Sequence, residues 1–301
     1  MSAVEADDSI RLTALLAPLH AADIADLLEQ IGPAERRDFL RLYAAEIDGE
    51  ILSEIDDSIR EEVIAALPRE VVAEAVRELD TDDVVDILED LEAPQQAIIL
   101  RALEDSDRVA VEQALAYPEY TAGRLMQREV VVAPEHWTVG ETIDHLRGAE
   151  WLPDQFYHVI LVNPRMNPVG YVTLGRLLSS RRETRLREIA EESFRSVKAT
   201  EEESDVAYMF NQYHLISCPV VDANDRLVGV ITIDDAMNVL DEEHEEDMLR
   251  LAGVGDDSSP ADGSIATARS RLPWLIINLF TASISALVIS LFEGTIATLV
   301  T

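Results

Sequence analysis

Cysteine and lysine are almost missing from this sequence, which contains one of each, Cys218 and Lys198. A lone cysteine excludes a disulfide framework and a cysteine metal cluster, and it is typical of a reducing, intracellular setting. Bases are scarce overall, with 24 Lys and Arg against 59 Asp and Glu, a formal net charge of −35. Such a surface repels nucleic acid and no basic stripe offsets the repulsion, so we expect no nucleic-acid partner.

The sequence also lacks the common signatures of catalysis. It contains no H-x-x-x-H pair, no Walker glycine loop and no G-x-S-x-G, and its six histidines are scattered. These patterns mark metal-dependent hydrolases, nucleotide-binding enzymes and serine hydrolases. We therefore expect a protein that is not an enzyme.

The acidity has two interpretations. Acids are spread along the whole chain, which indicates a halophilic acidic protein whose surface stays solvated in high salt. The alternative is a local need for cation ligands. Salt adaptation explains most of the acids, so each one is treated as a surface residue until its position argues otherwise.

A long apolar run lies near the C-terminal end, where residues 272–292 contain no charge. As a helix this run would be about 31 Å long, enough for the hydrocarbon core of a bilayer, although a buried helix of a globular domain is the alternative. Arg269 and Arg271 precede the run and Glu293 follows it. The positive-inside rule then predicts a protein of the cell membrane with residues 1–271 in the cytoplasm.

Residues 10–117 predict helices throughout, because apolar residues recur three and four positions apart between turn signals. An internal repeat is present: DIADLLEQI (23–31) matches DVVDILEDL (83–91) at an offset of 60. Repeated amphipathic helices bury their apolar faces by stacking on one another. We therefore expect an all-α, superhelical N-terminal domain at 1–120.

From about residue 123 the pattern changes to short β-branched runs separated by helical segments. LVNPRMNPVGYVTLGRLL (161–178) aligns with VVDANDRLVGVITIDDAM (220–237) at an offset of 59. Each unit predicts strand, helix, strand, turn, strand, helix, and the two units resemble a tandem pair of CBS domains. We expect this α/β pair at 121–240, as units 121–183 and 184–240. The resemblance implies one disc that binds adenine nucleotides or senses small ions.

The stretch DEEHEED (241–247) is the most acidic segment of the chain. On a helix, His244 falls on the apolar row with Leu240 and Met248, while the carboxylates project to the polar sides. Like charges three or four positions apart destabilise a helix by a few tenths of a kcal/mol per pair, so the segment needs cations. Carboxylates without imidazole or thiolate suit a hard ion such as Mg²⁺ or Ca²⁺. Composition alone still favours a solvated surface.

The order of these parts resembles the MgtE family of magnesium channels. The similarity is carried by YTAGRLM (120–126), TIDDAMNVLDEEHEEDMLRLAG (232–253) and RLPWLIINLFTASISALVISLFEGTI (271–296). It implies a connecting (plug) helix and linker at 241–270 and a first transmembrane helix within 271–301. It also implies a homodimer in which Mg²⁺ bound between the cytosolic parts closes the pore. The remaining transmembrane helices would belong to a C-terminal part or to a separate chain.

Position by position, the resemblance implies metal ligands on four segments of the chain. They are Asp82 and Asp86 in the helical domain, Asp235 after the last strand, Glu243, Glu246 and Asp247 on the connecting helix, and the weaker match Glu202. Departures occur where relatives often carry acids. Those positions hold His214, Asn238 and Ser204.

A second ligand is suggested by TIDD (232–235), which fits the T-x-x-D pattern of CBS pairs that bind adenosine nucleotides. There, Thr232 would contact phosphate and Asp235 the ribose of ATP, so Asp235 cannot easily serve both ligands at once. We thus expect magnesium transport, with this chain supplying the Mg²⁺-sensing gate. The alternative is a membrane-tethered CBS regulator that senses adenine nucleotide or ionic strength and acts on a separate membrane partner.

Overall fold

A computed structural model describes residues 2–89, 91–149, 151–153, 155–191, 194–251 and 264–291. Within these ranges it does not describe the side chains of residues 2, 245–247, 249–251, 264–271, 273–274, 288–289 and 291. The chain forms two compact units, Met1–Leu240 and Asp241–Thr301.

The regular structure of the described residues up to 120 is helical, as the sequence predicts. The helices are α1 (Ser2–Glu5), α2 (Ser9–Leu16), α3 (Ala21–Gln30), α4 (Pro33–Tyr43), α5 (Gly49–Ser53), α6 (Asp57–Ala66), α7 (Arg69–Ala75), α8 (Thr81–Glu89), α9 (Ala93–Ala102) and α10 (Asp105–Ala114), with a 3₁₀ turn at Ala44–Glu46. Local chemistry starts them: His20 and Asp23 form a capping box at α3, and Pro33 opens α4.

These helices stack in sequence, because each of several helices contacts the one two positions further along the chain. The pairs are α3 with α5, α4 with α6, α7 with α9 and α8 with α10. A continuous apolar core runs through the stack, with Leu28, Phe39, Leu52, Ile87 and Ile99 all fully buried. This is the arrangement expected of repeated amphipathic helices, each too short to bury its own apolar face.

The segment that follows contains two copies of one α/β unit. The first has α11 (Ala122–Leu125), β1 (Val132–Pro134), α12 (Val139–Gly148), β2 (His158–Val162), β3 (Pro168–Thr173) and α13 (Leu174–Ser179). The second has α14 (Leu186–Ile189), β4 (Val197–Lys198), α15 (Glu203–Tyr213), β5 (Ser217–Val221), β6 (Leu227–Thr232) and α16 (Ile233–Leu251). In each unit the first strand pairs parallel and the third antiparallel with the central one.

The two copies agree in detail at the offset of 59. Register shifts occur between Leu161 and Val162 and again between Val220 and Val221. The hairpin turns also match, since Met166 and Asp225 both take a left-handed conformation with φ of 63° and 60°. Apolar side chains of both copies, including Ile160 and Val230, form one small shared core, so the copies pack together as a pair.

The second compact unit contains the C-terminal part of α16 and the helix α17 (Ser264–Leu291). The predicted transmembrane helix is not confirmed, because no helix among the described residues is both long and apolar enough to cross a membrane. Residues 252–263 of the predicted linker, and residues 292–301 of the predicted membrane segment, lie outside the described residues.

Candidate cation site

Helix α8 carries the predicted metal ligands of the helical domain, Asp82 and Asp86. Val84, Val85, Ile87 and Leu88 turn into the core and are buried. Asp82 is also buried, with 9% of its surface exposed, whereas Asp83 is partly exposed. Buried carboxylates are rare unless they are paired. The residues around Asp82 therefore indicate why this carboxyl is buried.

Those neighbours come from the second CBS unit, at the point where β6 becomes α16. Asp235, in the first turn of α16, accepts hydrogen bonds to Oδ2 from the backbone N–H of Thr232 at 3.3 Å and from its hydroxyl at 2.5 Å. These bonds fix the carboxyl of Asp235, which also shares a hydrogen bond with Asp82. Since two carboxylates cannot hydrogen-bond without a proton, one member of the pair is protonated.

Removal from water and mutual repulsion raise the pKa values of this acidic group. The pKa of Asp82 lies well above its usual value, first because of burial and then because of Asp235, Asp83 and Asp80. Burial and the charge of Asp235 raise the pKa of Asp83 to about 7. Burial raises the pKa of Asp235 to about 6 against the lowering effect of its bond from Thr232. The contact between Asp82 and Asp235 therefore favours the uptake of a proton or of another positive charge.

Asp86, predicted as a ligand, is engaged elsewhere. Its Oδ2 lies 2.9 Å from Nη1 of Arg60, a buried guanidinium that also contacts Asp57 at 3.0 Å and donates to the carbonyl of Ile55. Asp86 is close enough to Asp83 to raise the pKa of that residue. Its own carboxylate nevertheless has a counter-ion within the helical domain.

Among the other predicted ligands of the first compact unit, Glu202 does not join this group. Glu202 is exposed at the N-cap position of α15, and Glu243 is exposed on α16 in the second compact unit. The side chains of Glu246 and Asp247 lie outside the described residues. Within the described part of the chain, no cluster of three or more His, Cys, Asp or Glu residues is arranged to hold a metal ion.

Two residues at this contact were not predicted from the sequence. Asp83 lies inside the same motif as Asp82 and Asp86 but was not carried over from the resemblance. Glu129, in the segment entering the CBS pair, accepts hydrogen bonds from the hydroxyl of Thr81 at 2.7 Å and from its N–H at 3.3 Å. A single glutamate in a connecting segment gives no sequence signal of such a contact.

A narrow cleft lies between the two CBS units. It encloses about 30 Å³, the volume of a water molecule, and its walls include Glu129, Tyr157, His158, Ser217 and Thr232. His158 Nδ1 and Ser217 Oγ, 2.5 Å apart, join the first unit to the second. Burial lowers the pKa of His158. Thr232 thus lines the cleft and also holds Asp235.

The fold defines a two-module architecture, a helical domain docked on a tandem CBS pair with carboxyl groups meeting between them. Family descriptions match each module: "MgtE intracellular N domain" at residues 19–120 and "CBS domain" at residues 122–183 and 186–242. The chain belongs to the MgtE family, which confirms the resemblance seen in its motifs.

Two proteins of similar sequence are both magnesium transporters MgtE. The magnesium transporter MgtE of Thermus thermophilus is 32% identical over 297 residues, covering 97% of this chain and 66% of the relative. That of Bacillus subtilis is 30% identical over 215 residues, covering 71% and 48%. The chain thus spans about half to two-thirds of the length of these relatives.

Two solved structures share the fold of the helical domain and the CBS pair. The cytosolic domain of the Mg²⁺ channel MgtE in complex with ATP matches with a TM-score of 0.71 and 29% identity, over 79% of this chain and 97% of that one. The soluble part of a magnesium transporter matches with a TM-score of 0.68 and 24% identity, over 80% and 95%. The second likeness concerns the fold alone.

Proposed function

We propose that this chain is the cytosolic Mg²⁺-sensing gate of a magnesium transporter of the MgtE type. The observation that carries the proposal is the meeting of Asp82, from the helical domain, with Asp235, from the second CBS unit. Membership of a family whose relatives are named magnesium transporters supports the choice of ion. We further propose that the chain acts as a homodimer at the cell membrane.

The donor chemistry of Asp82, Asp83 and Asp235 fits Mg²⁺. All three present only carboxylate oxygens, and their pKa values are raised first by burial and then by the neighbouring negative charges. Mg²⁺ prefers hard oxygen ligands, keeps several of its waters, and is commonly held by only one or two carboxylates. An acidic pair joined with water ligands is therefore a sufficient protein contribution. Glu243, Glu246 and Asp247 stay predicted ligands, as does Glu202.

Gating follows from the electrostatics of this contact. Without a cation or a proton, the carboxylates of the helical domain and of the CBS unit repel each other, and the two modules separate. A divalent ion replaces the proton, joins the modules and favours the compact state. The ion shifts the equilibrium only because it binds the compact state more tightly than the separated state. The sensor therefore responds when the Mg²⁺ concentration is close to the dissociation constant of the compact state.

The proposal is tested by titrating the chain with MgCl₂ while small-angle X-ray scattering measures its radius of gyration, in a constant high background of KCl. We expect compaction at millimolar Mg²⁺ and none when the added salt is further KCl, which separates ion sensing from a response to ionic strength. A radius that does not change with Mg²⁺ would contradict the sensing role. Restored growth of a bacterium deficient in Mg²⁺ uptake, upon expression of the gene, tests transport.

The cleft between the CBS units supports a second role, binding of an adenine nucleotide. The similar cytosolic domain was solved in complex with ATP, and Thr232 of the predicted T-x-x-D pattern lines the cleft of this chain. We expect ATP binding to widen this cleft and to separate His158 from Ser217. Calorimetric titration with ATP, using Thr232→Ala and the equivalent first-unit control Thr173→Ala, tests this role. Equal binding by both variants would contradict it.

A further inference from the structure

Helix α8 is held by the CBS segment at both of its ends, and neither contact involves a metal ion. At the start of the helix, the carboxylate of Glu129 accepts from Thr81 through one oxygen at 2.7 Å and through the other at 3.3 Å. The second oxygen also accepts from the backbone N–H of Arg128 at 2.8 Å. The first N–H groups of a helix have no partner within it, and a negative charge there is favourable. Glu129 therefore caps α8 from outside its own domain.

At the far end of α8, Glu89 forms an ion pair with Arg124 of α11. The guanidinium side of the pair is largely covered, with 13% of the Arg124 side chain exposed, whereas 35% of the Glu89 side chain is exposed. Arg124 is itself anchored, because its Nε donates to the carbonyl of Tyr117 at 2.9 Å. A shielded guanidinium with two partners is a stronger constraint than a surface ion pair.

We propose that Glu129 and Arg124 are positioning residues that form a metal-independent clamp on α8 and set Asp82 against Asp235. The inference rests on the proposed Mg²⁺-sensing function. Thr81 and Glu89 are about 12 Å apart along the helix, so two anchors fix both its axis and its rotation. Asp82 directly follows the first anchor, while Asp235 is held from the other side by Thr232.

The clamp accounts for two buried acids being kept together before a cation arrives. The two anchors orient the carboxyls before the ion binds. Mg²⁺ therefore binds ligands that are already in place, with a higher affinity than if the two domains moved freely. The clamp therefore keeps a fraction of the metal-free chains docked, and Mg²⁺ shifts the remaining chains to the docked state.

The test measures the distance between the two modules in the 301-residue chain by pulsed electron paramagnetic resonance. Spin labels are attached at Ala65→Cys in the helical domain and Ser179→Cys in the first CBS unit, both exposed positions, while the native Cys218 is buried. The variants are Thr81→Val, which removes the hydroxyl, Thr81→Ser, which retains it, and Arg124→Ala. Arg108→Ala is the matched control, because it also removes an arginine from an ion pair. Arg108 pairs with Asp105 on the surface of the helical domain.

We expect a fraction of the metal-free parent chains to show the docked distance, and Thr81→Val and Arg124→Ala to lose most of that fraction. Saturating Mg²⁺ restores the docked population of these two variants, and their Mg²⁺ midpoint is about three- to tenfold higher than that of the parent. Thr81→Ser and Arg108→Ala behave like the parent. If Glu129 and Arg124 have no positioning role, every variant should show the metal-free distances and the Mg²⁺ midpoint of the parent. That result would overturn the inference. A parent chain that does not respond to Mg²⁺ would instead contradict the proposed function.

Discussion

Asp82 and Asp235 belong to different domains, yet their side chains share a hydrogen bond. Two carboxyls can share such a bond only with a proton between them, and burial, followed by the neighbouring charges, raises the pKa of Asp82 well above its usual value. A proton thus occupies the place that we propose for a divalent cation, and the contact responds to any change that removes or replaces positive charge.

Neutralising Asp235 should make the contact independent of Mg²⁺. Asp235→Asn removes one of the repelling charges while its amide still hydrogen-bonds, so we expect the metal-free chain to be as compact as the Mg²⁺-bound parent. Small-angle scattering with and without Mg²⁺ measures this. The exposed Asp107→Asn is the control for loss of one negative charge elsewhere. A metal-free variant that remains as extended as the metal-free parent would contradict the role of charge repulsion.

The pH dependence of stability follows from the same raised pKa values. In the unfolded chain an aspartate has a pKa of about 3.9, whereas in the folded chain the pKa is about 7 for Asp83 and about 6 for Asp235. The folded state therefore binds more protons between about pH 4 and pH 7. The metal-free free energy of unfolding should fall as pH rises through this range. The raised pKa of Asp82 adds to the same fall.

Denaturant unfolding at pH 5, 6, 7 and 8 in constant KCl measures this dependence. Mg²⁺ must displace the retained proton, so its apparent affinity should increase with pH up to about 7 and its binding should release protons. Calorimetry in buffers of different ionisation enthalpy detects that release. Asp83→Asn removes the group with the pKa of about 7 and should flatten the upper part of the profile. An unchanged profile in this variant would assign the titration to other residues.

Asp86 distinguishes a structural acid from a sensing one. Because its carboxylate is paired with the buried Arg60, Asp86→Asn should lower the free energy of unfolding by about 1 kcal/mol. Arg60→Ala should lower it by about 2–3 kcal/mol, since it also leaves the carbonyl of Ile55 without its donor. The Mg²⁺ midpoint of Asp86→Asn should shift less than that of Asp82→Asn. A larger shift for Asp86→Asn would restore it as a ligand.

The modules of this chain could be predicted from its sequence because periodicity and internal repeats are local signals. The helical spacing at 10–117 and the repeat of 161–178 at 220–237 follow directly from the side chains that face a core. The family resemblance alone marks Asp82 and Asp235 as ligands, and it pairs Asp82 and Asp86 with the acids of DEEHEED, so the contact between Asp82 and Asp235 was not predicted. The roles of Asp83 and Glu129 were not found, because they depend on how two domains dock and not on any spacing within one element.

Two equivalent glycines provide a last test of how the entry segment docks on the CBS pair. Gly170 and Gly229 occupy the same position in β3 and β6, at the repeat offset of 59. A Cβ at Gly229 would lie 2.7 Å from the carbonyl oxygen of Gln127 and 2.7 Å from Sδ of Met126, whereas at Gly170 it would meet Cβ of Ala190 at an ordinary 3.5 Å. Only Gly229 of this pair therefore requires the absence of a side chain.

Gly229→Ala should lower the free energy of unfolding by about 1–3 kcal/mol through overpacking against fixed backbone, and Gly170→Ala by well under about 1 kcal/mol. Since Gln127 is two residues from Glu129, the displaced entry segment should also weaken the contact between Glu129 and Thr81. Denaturant unfolding measures the first effect and the Mg²⁺ midpoint the second. Equal losses of stability in the two variants would mean that the entry segment yields to the added methyl group, so that Met126 and Gln127 do not hold Glu129 in a fixed position.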